Sequence, residues 1–338
     1  MGEGAALTAR AVRRSLAELL PDAARREPMP ADGGKSGARL ERVVAGDTRY
    51  VLKHIDRADD WTLRSTGSLE PPPVVLWRRG VLDALPACFV QPILDVAYAG
   101  DGRAWLLMHD ISDTLLPGDG SPIAPETNAA FLDHLAALCA VWWQRPDIPN
   151  VVEPVARYLE LSPWTAIAEA ALGSEHLVPR LIAQGWERLA QVAPAAAEVV
   201  VPLAWDPGPL VEALDATPQT FVHGNWKLDN LGVTPDGRTV LFDWETPGRG
   251  TACAELAWYL AINCDRLPVS KESTITLFRA ALERHGISTA GWWDRQLGLA
   301  LLGGLVHFGW EKALGGPSAE LDWWERHALA GAELLVRR

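Results

Sequence analysis

The stretch Phe221 to Glu245, FVHGNWKLDNLGVTPDGRTVLFDWE, constrains this chain more than any other. A polar loop carrying His223, Gly224, Asn225, Lys227 and Asn230 runs into Val233-Thr234, then Pro235-Asp236-Gly237, then Thr239 to Phe242. Pro-Asp-Gly supplies turn geometry between two apolar runs, so the second half reads as strand, turn, strand. Asp243 then stands where an apolar strand ends, displayed at a sheet edge. Phosphoryl transfer from a nucleotide needs a group that orients the attacking hydroxyl, a ligand for one divalent cation, and a carboxylate for the same or a second cation. Asn230 and Asp243 suit the two metal roles. The spacing from Asn225 to Asn230 lets one irregular loop aim both side chains at a common centre. Lys227 can reach a transferring phosphate as a point charge. A surface hairpin with a polar loop is the bland alternative, and either half alone would not outweigh it. Joined at this spacing, the halves favour a phosphoryl-transfer site.

In these residues the chain resembles the aminoglycoside phosphotransferase and choline kinase-like family, small-molecule relatives of the protein kinases. The loop of that family reads His-Gly-Asp-x-x-x-x-Asn and is followed by an Ile-Asp-Trp-Glu-like strand; His223, Gly224, Asn230, Asp243, Trp244 and Glu245 match. The resemblance implies an α+β, two-lobed protein-kinase-like fold. A small antiparallel-sheet lobe over residues 1–112 would grip the nucleotide, and a larger, mainly helical lobe over 113–338 would carry the loop and the acceptor pocket, with the site in the cleft between them. It also implies ATP and Mg²⁺ as cofactors and a small-molecule hydroxyl acceptor as partner. There are two departures. Asn225 occupies the position of the family's catalytic Asp, and Glu255, in Gly250-Thr251-Ala252-Cys253-Ala254-Glu255-Leu256-Ala257, replaces a structural Asp.

An amide has no useful basicity near neutral pH, so Asn225 cannot accept the acceptor's hydroxyl proton. General-base assistance is worth roughly 10²–10⁴-fold, so turnover should be low while the loop keeps its shape and nucleotide still binds. Three explanations stand: a deliberate Asp-to-Asn change that traps a complex, a natural low-activity relative that binds nucleotide or metabolite, or substitution by Asp229. The first fits the retained Lys227, Asn230 and Asp243 best. The third conflicts with Asn230 facing the metal, which turns Asp229 elsewhere. A non-catalytic nucleotide- or metabolite-binding homologue is the alternative to a kinase, although a decayed binder has little reason to keep both metal ligands.

The amino-terminal third reads as β-rich without reference to the loop. Arg39 to Val44 and Arg49 to Ile55 flank Ala45-Gly46-Asp47-Thr48, a hairpin signal. Lys53 shares a strand face with Val51 and Ile55, and in a kinase-like lobe it becomes the partner of the nucleotide α/β-phosphates. Glu70, ahead of the Val74 to Leu82 helix, is the candidate carboxylate partner of Lys53. Gly34-Lys35-Ser36 imitates the end of a Walker loop, but position 29 is Met where that motif needs Gly. Gly33, Gly34, Ser36 and Gly37 are instead expected to turn over the phosphates. Phe89 to Leu94 and Arg103 to Met108 read as further strands around a Gly100-Asp101-Gly102 turn. Met108, His109 and Asp110 leave the second of these where the family places its adenine hinge.

From about residue 125 the pattern is helical. The expected runs are Thr127 to Gln144, Pro163 to Leu172, His176 to Ala190, Ala254 to Cys264, Lys271 to His285, Ala290 to Leu314 and Ser318 to Val336. Three adjacent Trp pairs, at 142–143, 292–293 and 323–324, fall on these helices. Neighbours on a helix point about 100° apart, so one member of each pair is expected outside the core. With Glu311 and Asp322 receiving amino groups and an exposed Trp310 stacking on an apolar face, the acceptor would be cationic: an aminosugar, an aminoglycoside-like compound or an amino alcohol.

A formal charge of −12 speaks against a nucleic-acid binder. No apolar span reaches membrane length, and the N-terminus, with a mildly amphipathic helix through Leu20, lacks a signal-peptide core. The four cysteines show no Cys-x-x-Cys spacing, so neither zinc nor a disulfide framework is expected, and a reducing cytoplasm is the expected compartment.

Overall fold

A computed structural model describes residues 7–20, 24–29 and 35–336. Gly33 and Gly34 of the expected phosphate turn lie outside the described residues. In chain order the first elements are α1 (Leu16–Leu19), β1 (Arg25–Pro28), β2 (Arg39–Ala45), β3 (Thr48–Asp56), α2 (Trp61–Ser65), α3 (Pro72–Arg78), β4 (Phe89–Val90), β5 (Ile93–Tyr98) and β6 (Arg103–His109). Helices α4 (Pro125–Val141), α5 (Pro154–Glu160), α6 (Pro163–Ala171), α7 (Leu177–Val192), α8 (Pro194–Trp205) and α9 (Gly208–Asp215) follow. The chain then forms β7 (Thr220–Val222), β8 (Leu231–Val233), β9 (Thr239–Leu241) and β10 (Gly248–Gly250), and closes with α10 (Ala252–Ile262), α11 (Lys271–Arg284), α12 (Trp293–Leu314) and α13 (Ala319–Val336).

These elements form two compact units, one of residues 1–116 with 228–245, the other of 117–227 with 246–338. The first holds an antiparallel sheet in the order β1-β2-β3-β6-β5. Lys53 stands in the middle of β3, paired in register with Leu40 and Leu106. Leu19, Leu20, Val43, Leu52 and Ala97 form a buried cluster in this unit. The Phe89 to Leu94 run is not one strand: Gln91-Pro92 divides it into β4 and β5, since proline cannot donate to a ladder. Strand β4 pairs in parallel with β9, and β8 pairs antiparallel with β9. This pairing ties the expected hairpin to the first unit.

The second unit is helical apart from the β7–β10 pair. Helix α12 packs against α13, α7 and α10. A Cβ on Gly304 would lie 2.6 Å from the Trp324 ring, so glycine there admits the indole against the helix backbone. Trp323 and Trp324 are both buried, contrary to the expectation of one exposed member. Each indole N–H is satisfied inside the unit, by Glu272 at 2.5 Å and Glu320 at 2.8 Å, which removes the cost that would have driven one ring outward. The expected Val74 to Leu82 helix begins earlier and stops at Arg78, with a separate 3₁₀ turn over Val81–Ala84. Helices α5, α8 and α9 were not anticipated. Each begins on or next to proline, which reads as loop punctuation in sequence but suits the first helical turn. Among the described residues no helix is long and apolar enough to cross a membrane.

Candidate active site

Asp243 follows β9 with φ +63°, a left-handed conformation that aspartate tolerates better than most residues. In the first unit its carboxylate pairs with the Lys53 ammonium, both side chains being largely buried. Burial pulls the pKa of Lys53 down, but the nearby carboxylates of Asp243, Glu245 and Asp60 more than offset it and hold the ammonium protonated well above its ordinary range. Asp60 caps α2, accepting the Leu63 N–H at 3.0 Å. Burial pushes its carboxyl up to about 6, against the opposing pull of that hydrogen bond and of Lys53. Asp60 is a member of this cluster that sequence reading missed. Its signal was an Asp just before an apolar helical turn, an N-cap, which says nothing about charge partners. Glu70, the expected partner of Lys53, is instead engaged by Arg78. Arg78 ends α3, eight positions beyond Glu70, so the helix itself brings the guanidinium to that carboxylate.

Asn230 ends a 3₁₀ turn over Leu228–Asn230 and is buried; its carbonyl accepts the Phe242 N–H at 3.4 Å. Ser36 is buried, and its carbonyl accepts the Trp61 N–H at 3.2 Å, while Gly37 has φ +114°. Met108 and His109 end β6 opposite Val51 and Tyr50. The His109 N–H is committed to the Pro92 carbonyl at 2.9 Å, and Asp110 accepts from the Ser112 N–H and hydroxyl. Among the described residues, no three His, Cys, Asp or Glu side chains form a metal-ready group.

The loop residues 223–227 belong to the second unit, and there they are held from one side. Glu255, on the first turn of α10, accepts the Gly224 N–H at 2.9 Å and the Trp226 N–H at 3.2 Å. Burial raises this carboxyl, while the loop N–H groups and Arg157 favour its charged form. Glu255 therefore performs the structural role that its position implied. Gly224 has φ +79°, and a Cβ there would lie 2.0 Å from the Thr246 carbonyl, so only glycine fits. The Thr246 hydroxyl also donates to the Gly224 carbonyl at 2.9 Å. Asn225 is 5% exposed, its N–H donating to His223 Nδ1 at 3.3 Å and its carbonyl accepting the Lys227 N–H at 2.9 Å. Arg157 was also missed. It is a half-buried guanidinium that donates to the Val152 and Arg249 carbonyls and attracts Glu255. No local sequence signal marks it.

The expected acceptor residues are scattered in role. Trp310 is 7% exposed on the side of α12 that faces α7, where Gly185 meets its backbone, so it is a packing residue and not an exposed stacking wall. Glu311 is partly exposed and paired with Lys312 at 2.9 Å, and Asp322 is exposed on α13.

A family model described as the phosphotransferase enzyme family, APH, matches residues 27–292. No curated protein matches the chain. Among solved structures, a microcompartment-associated aminopropanol kinase is similar at 14% identity over 94% of this chain and 93% of its own, with a TM-score of 0.51. LicA in complex with AMP is similar at 13% identity over 95% of each chain, with a TM-score of 0.51. The choline kinase LicA from Streptococcus pneumoniae gives 11% identity over 93% of this chain and 94% of its own, with a TM-score of 0.47. At these identities the first two establish the fold: a protein-kinase-like α+β arrangement with an antiparallel sheet towards the N-terminus and helices towards the C-terminus.

Proposed function

The chain belongs to the phosphotransferase enzyme family, and on that premise we propose that it is an ATP- and Mg²⁺-dependent kinase acting on the hydroxyl of a small cationic molecule, with turnover limited by Asn225. The observation that carries this reading is the Lys53–Asp243 pair, drawn from residues 190 positions apart and joined by the nearby charges of Asp60 and Glu245. An ammonium held charged in that setting suits phosphate oxygens. Asp243 and Asn230 offer the hard oxygen donors that Mg²⁺ takes, usually one or two from protein with the rest from phosphate and water. The cation, when bound, neutralises charge on the transferring phosphate.

Lys53 would hold the nucleotide phosphates, and Asp243 and Asn230 the metal. Lys227, whose N–H is fixed by the Asn225 carbonyl, would supply a further positive charge. Asn225 can hydrogen-bond an acceptor hydroxyl but cannot take its proton, which fits a variant or relative trapped at the binding stage. The net charge of −12 favours approach of a cationic acceptor such as an amino alcohol or aminosugar, with the exposed Asp322 and the partly exposed, Lys312-paired Glu311 as carboxylates for its amino groups. The aminopropanol kinase named above is in keeping with that class.

The test is calorimetry with ATP and Mg²⁺. Binding that depends on Mg²⁺ and falls by about 100-fold or more in Asp243→Ala is expected. Absence of Mg²⁺-dependent binding removes the kinase reading, and unchanged affinity in the variant removes Asp243 from the metal site. A neutral sugar phosphorylated as well as its amino analogue would remove the cationic acceptor alone.

A further inference from the structure

The second unit carries an open cleft of about 480 Å³, within the roughly 300–1,000 Å³ typical of small-molecule sites. Its walls are Gln144, Arg145 and Ile148 after α4, residues 216–219 between α9 and β7, and Arg249 on β10. None of residues 223–227 lines it. The charge of this wall runs against that of the chain. The sequence has 43 acidic against 31 basic residues, yet the charged residues of the wall are two arginines and no carboxylate. Both side chains reach solvent, Arg145 at 24% and Arg249 at 36% exposure.

Local structure brings the two arginines to one place. Arg249 pairs in register with Phe221 across the β7–β10 ribbon, so these side chains share a face. The Phe221 ring packs on Trp142 at 5.9 Å, and the Arg145 guanidinium lies 4.7 Å from the centroid of that same indole. The Gln144 N–H donates to the Gln219 carbonyl at 2.8 Å, which ties the turn carrying Arg145 to the entry of β7.

Each arginine has a carboxylate neighbour outside the wall. Asp147 accepts from Arg145 Nε at 2.8 Å and Nη2 at 2.6 Å, a fork that leaves Nη1 without an acceptor among the described residues. Asp215 stands 3.4 Å from Arg249 Nη2 and 3.5 Å from Nη1. A charge-assisted hydrogen bond is about 2.7–2.9 Å, so this second pair is loose. Both carboxylates are exposed, and exposed ion pairs hold weakly. Ligand oxygens therefore find free donors on both guanidinium groups.

We propose that this cleft binds a small organic molecule with two anionic groups, one phosphate or carboxylate on Arg145 and the other on Arg249. Guanidinium forks match either kind of oxyanion. Two separated anionic groups engage both arginines, a single one engages half of the site, and a cation is repelled. In a chain of net charge −12 an anion gains nothing from the overall field, so its retention rests on these two side chains. The site does not depend on the phosphotransferase reading.

The experiment is calorimetry on the full chain at low salt with fructose bisphosphate and glutarate, beside acetate and putrescine. Saturable binding of the bisphosphate or the dicarboxylate is expected, and the tighter of the two identifies the head group. Arg145→Gln and Arg249→Gln should each weaken it by about tenfold or more, the loss of one charge-assisted contact. Asp147→Asn and Asp215→Asn, which release the guanidinium groups, should each tighten it by about threefold. Asp236→Asn makes the same charge change in the first unit and should leave it unaltered. The Asp variants keep both arginines, so they decide the matter even if an Arg→Gln protein fails to fold. No saturable binding, acetate binding as tightly, affinity unchanged in both Arg→Gln proteins, or equal tightening by Asp236→Asn overturns the site.

Discussion

Around Lys53, three carboxylates converge on one ammonium; around Gly224, one carboxylate is consumed by two backbone N–H groups and a guanidinium. Both clusters are largely buried and both rest on acidic side chains, yet the physics differs. The Lys53 cluster carries more negative than positive charge, so its balance can be changed by a ligand. The Glu255 cluster is closed: each oxygen has a donor, and its charge is met by Arg157. Excess charge in a partly accessible cluster suits a ligand site, while closed charge suits a strut, because an unpaired ion is costly once buried. The same residue class thus does two jobs, and partners decide which.

The largest effect should come from the loop that the strut holds. Asn225→Asp is expected to raise turnover by about 10²–10⁴-fold with little change in nucleotide affinity, because it restores a base at nearly constant volume. A coupled ADP-release assay over amino alcohols and amino sugars measures it. Equal, negligible rates for both proteins across the panel would favour a binding protein over a kinase.

Next, the strut itself can be broken. Glu255→Ala should cost about 3–5 kcal/mol in denaturant unfolding, since it strands the Arg157 charge and two loop N–H groups. Glu255→Gln, which keeps one acceptor oxygen, should cost less. Asp243→Ala should leave stability within about 1 kcal/mol, because Glu245 and Asp60 remain beside Lys53. Comparable losses in Asp243→Ala and Glu255→Ala would erase the distinction between the clusters.

The smallest effect concerns Asp60. Its folded carboxyl titrates near 6, above the unfolded value of about 4. Between those values the folded chain holds a proton that the unfolded chain has lost, so stability falls as pH rises through about 4 to 6. Asp60→Asn keeps the N-cap acceptor and should flatten that slope, gaining about 1 kcal/mol above pH 6 after allowance for the attraction of Lys53. Melting curves at several pH values decide it; an unchanged slope would take Asp60 out of the cluster.

What the sequence determined by itself was local. The Pro235-Asp236-Gly237 turn, the flanking strands, the hairpin around Gly46, the placement of Lys53 on β3 and most long helices follow from patterns a few residues wide. Membership of the phosphotransferase family was likewise legible, because the His223-Gly224 loop and the Asp243-Trp244-Glu245 strand end are contiguous. The tertiary structure alone decided who meets whom. Asp60 rather than Glu70 stands by Lys53, Arg157 stands by Glu255, Trp310 and both Trp323 and Trp324 turn inward, and Arg145 and Arg249 line one cleft. Dihedral preference and side-chain periodicity act over a few residues, so they can be read along the chain. Charge pairing and burial depend on which distant segments packing brings together.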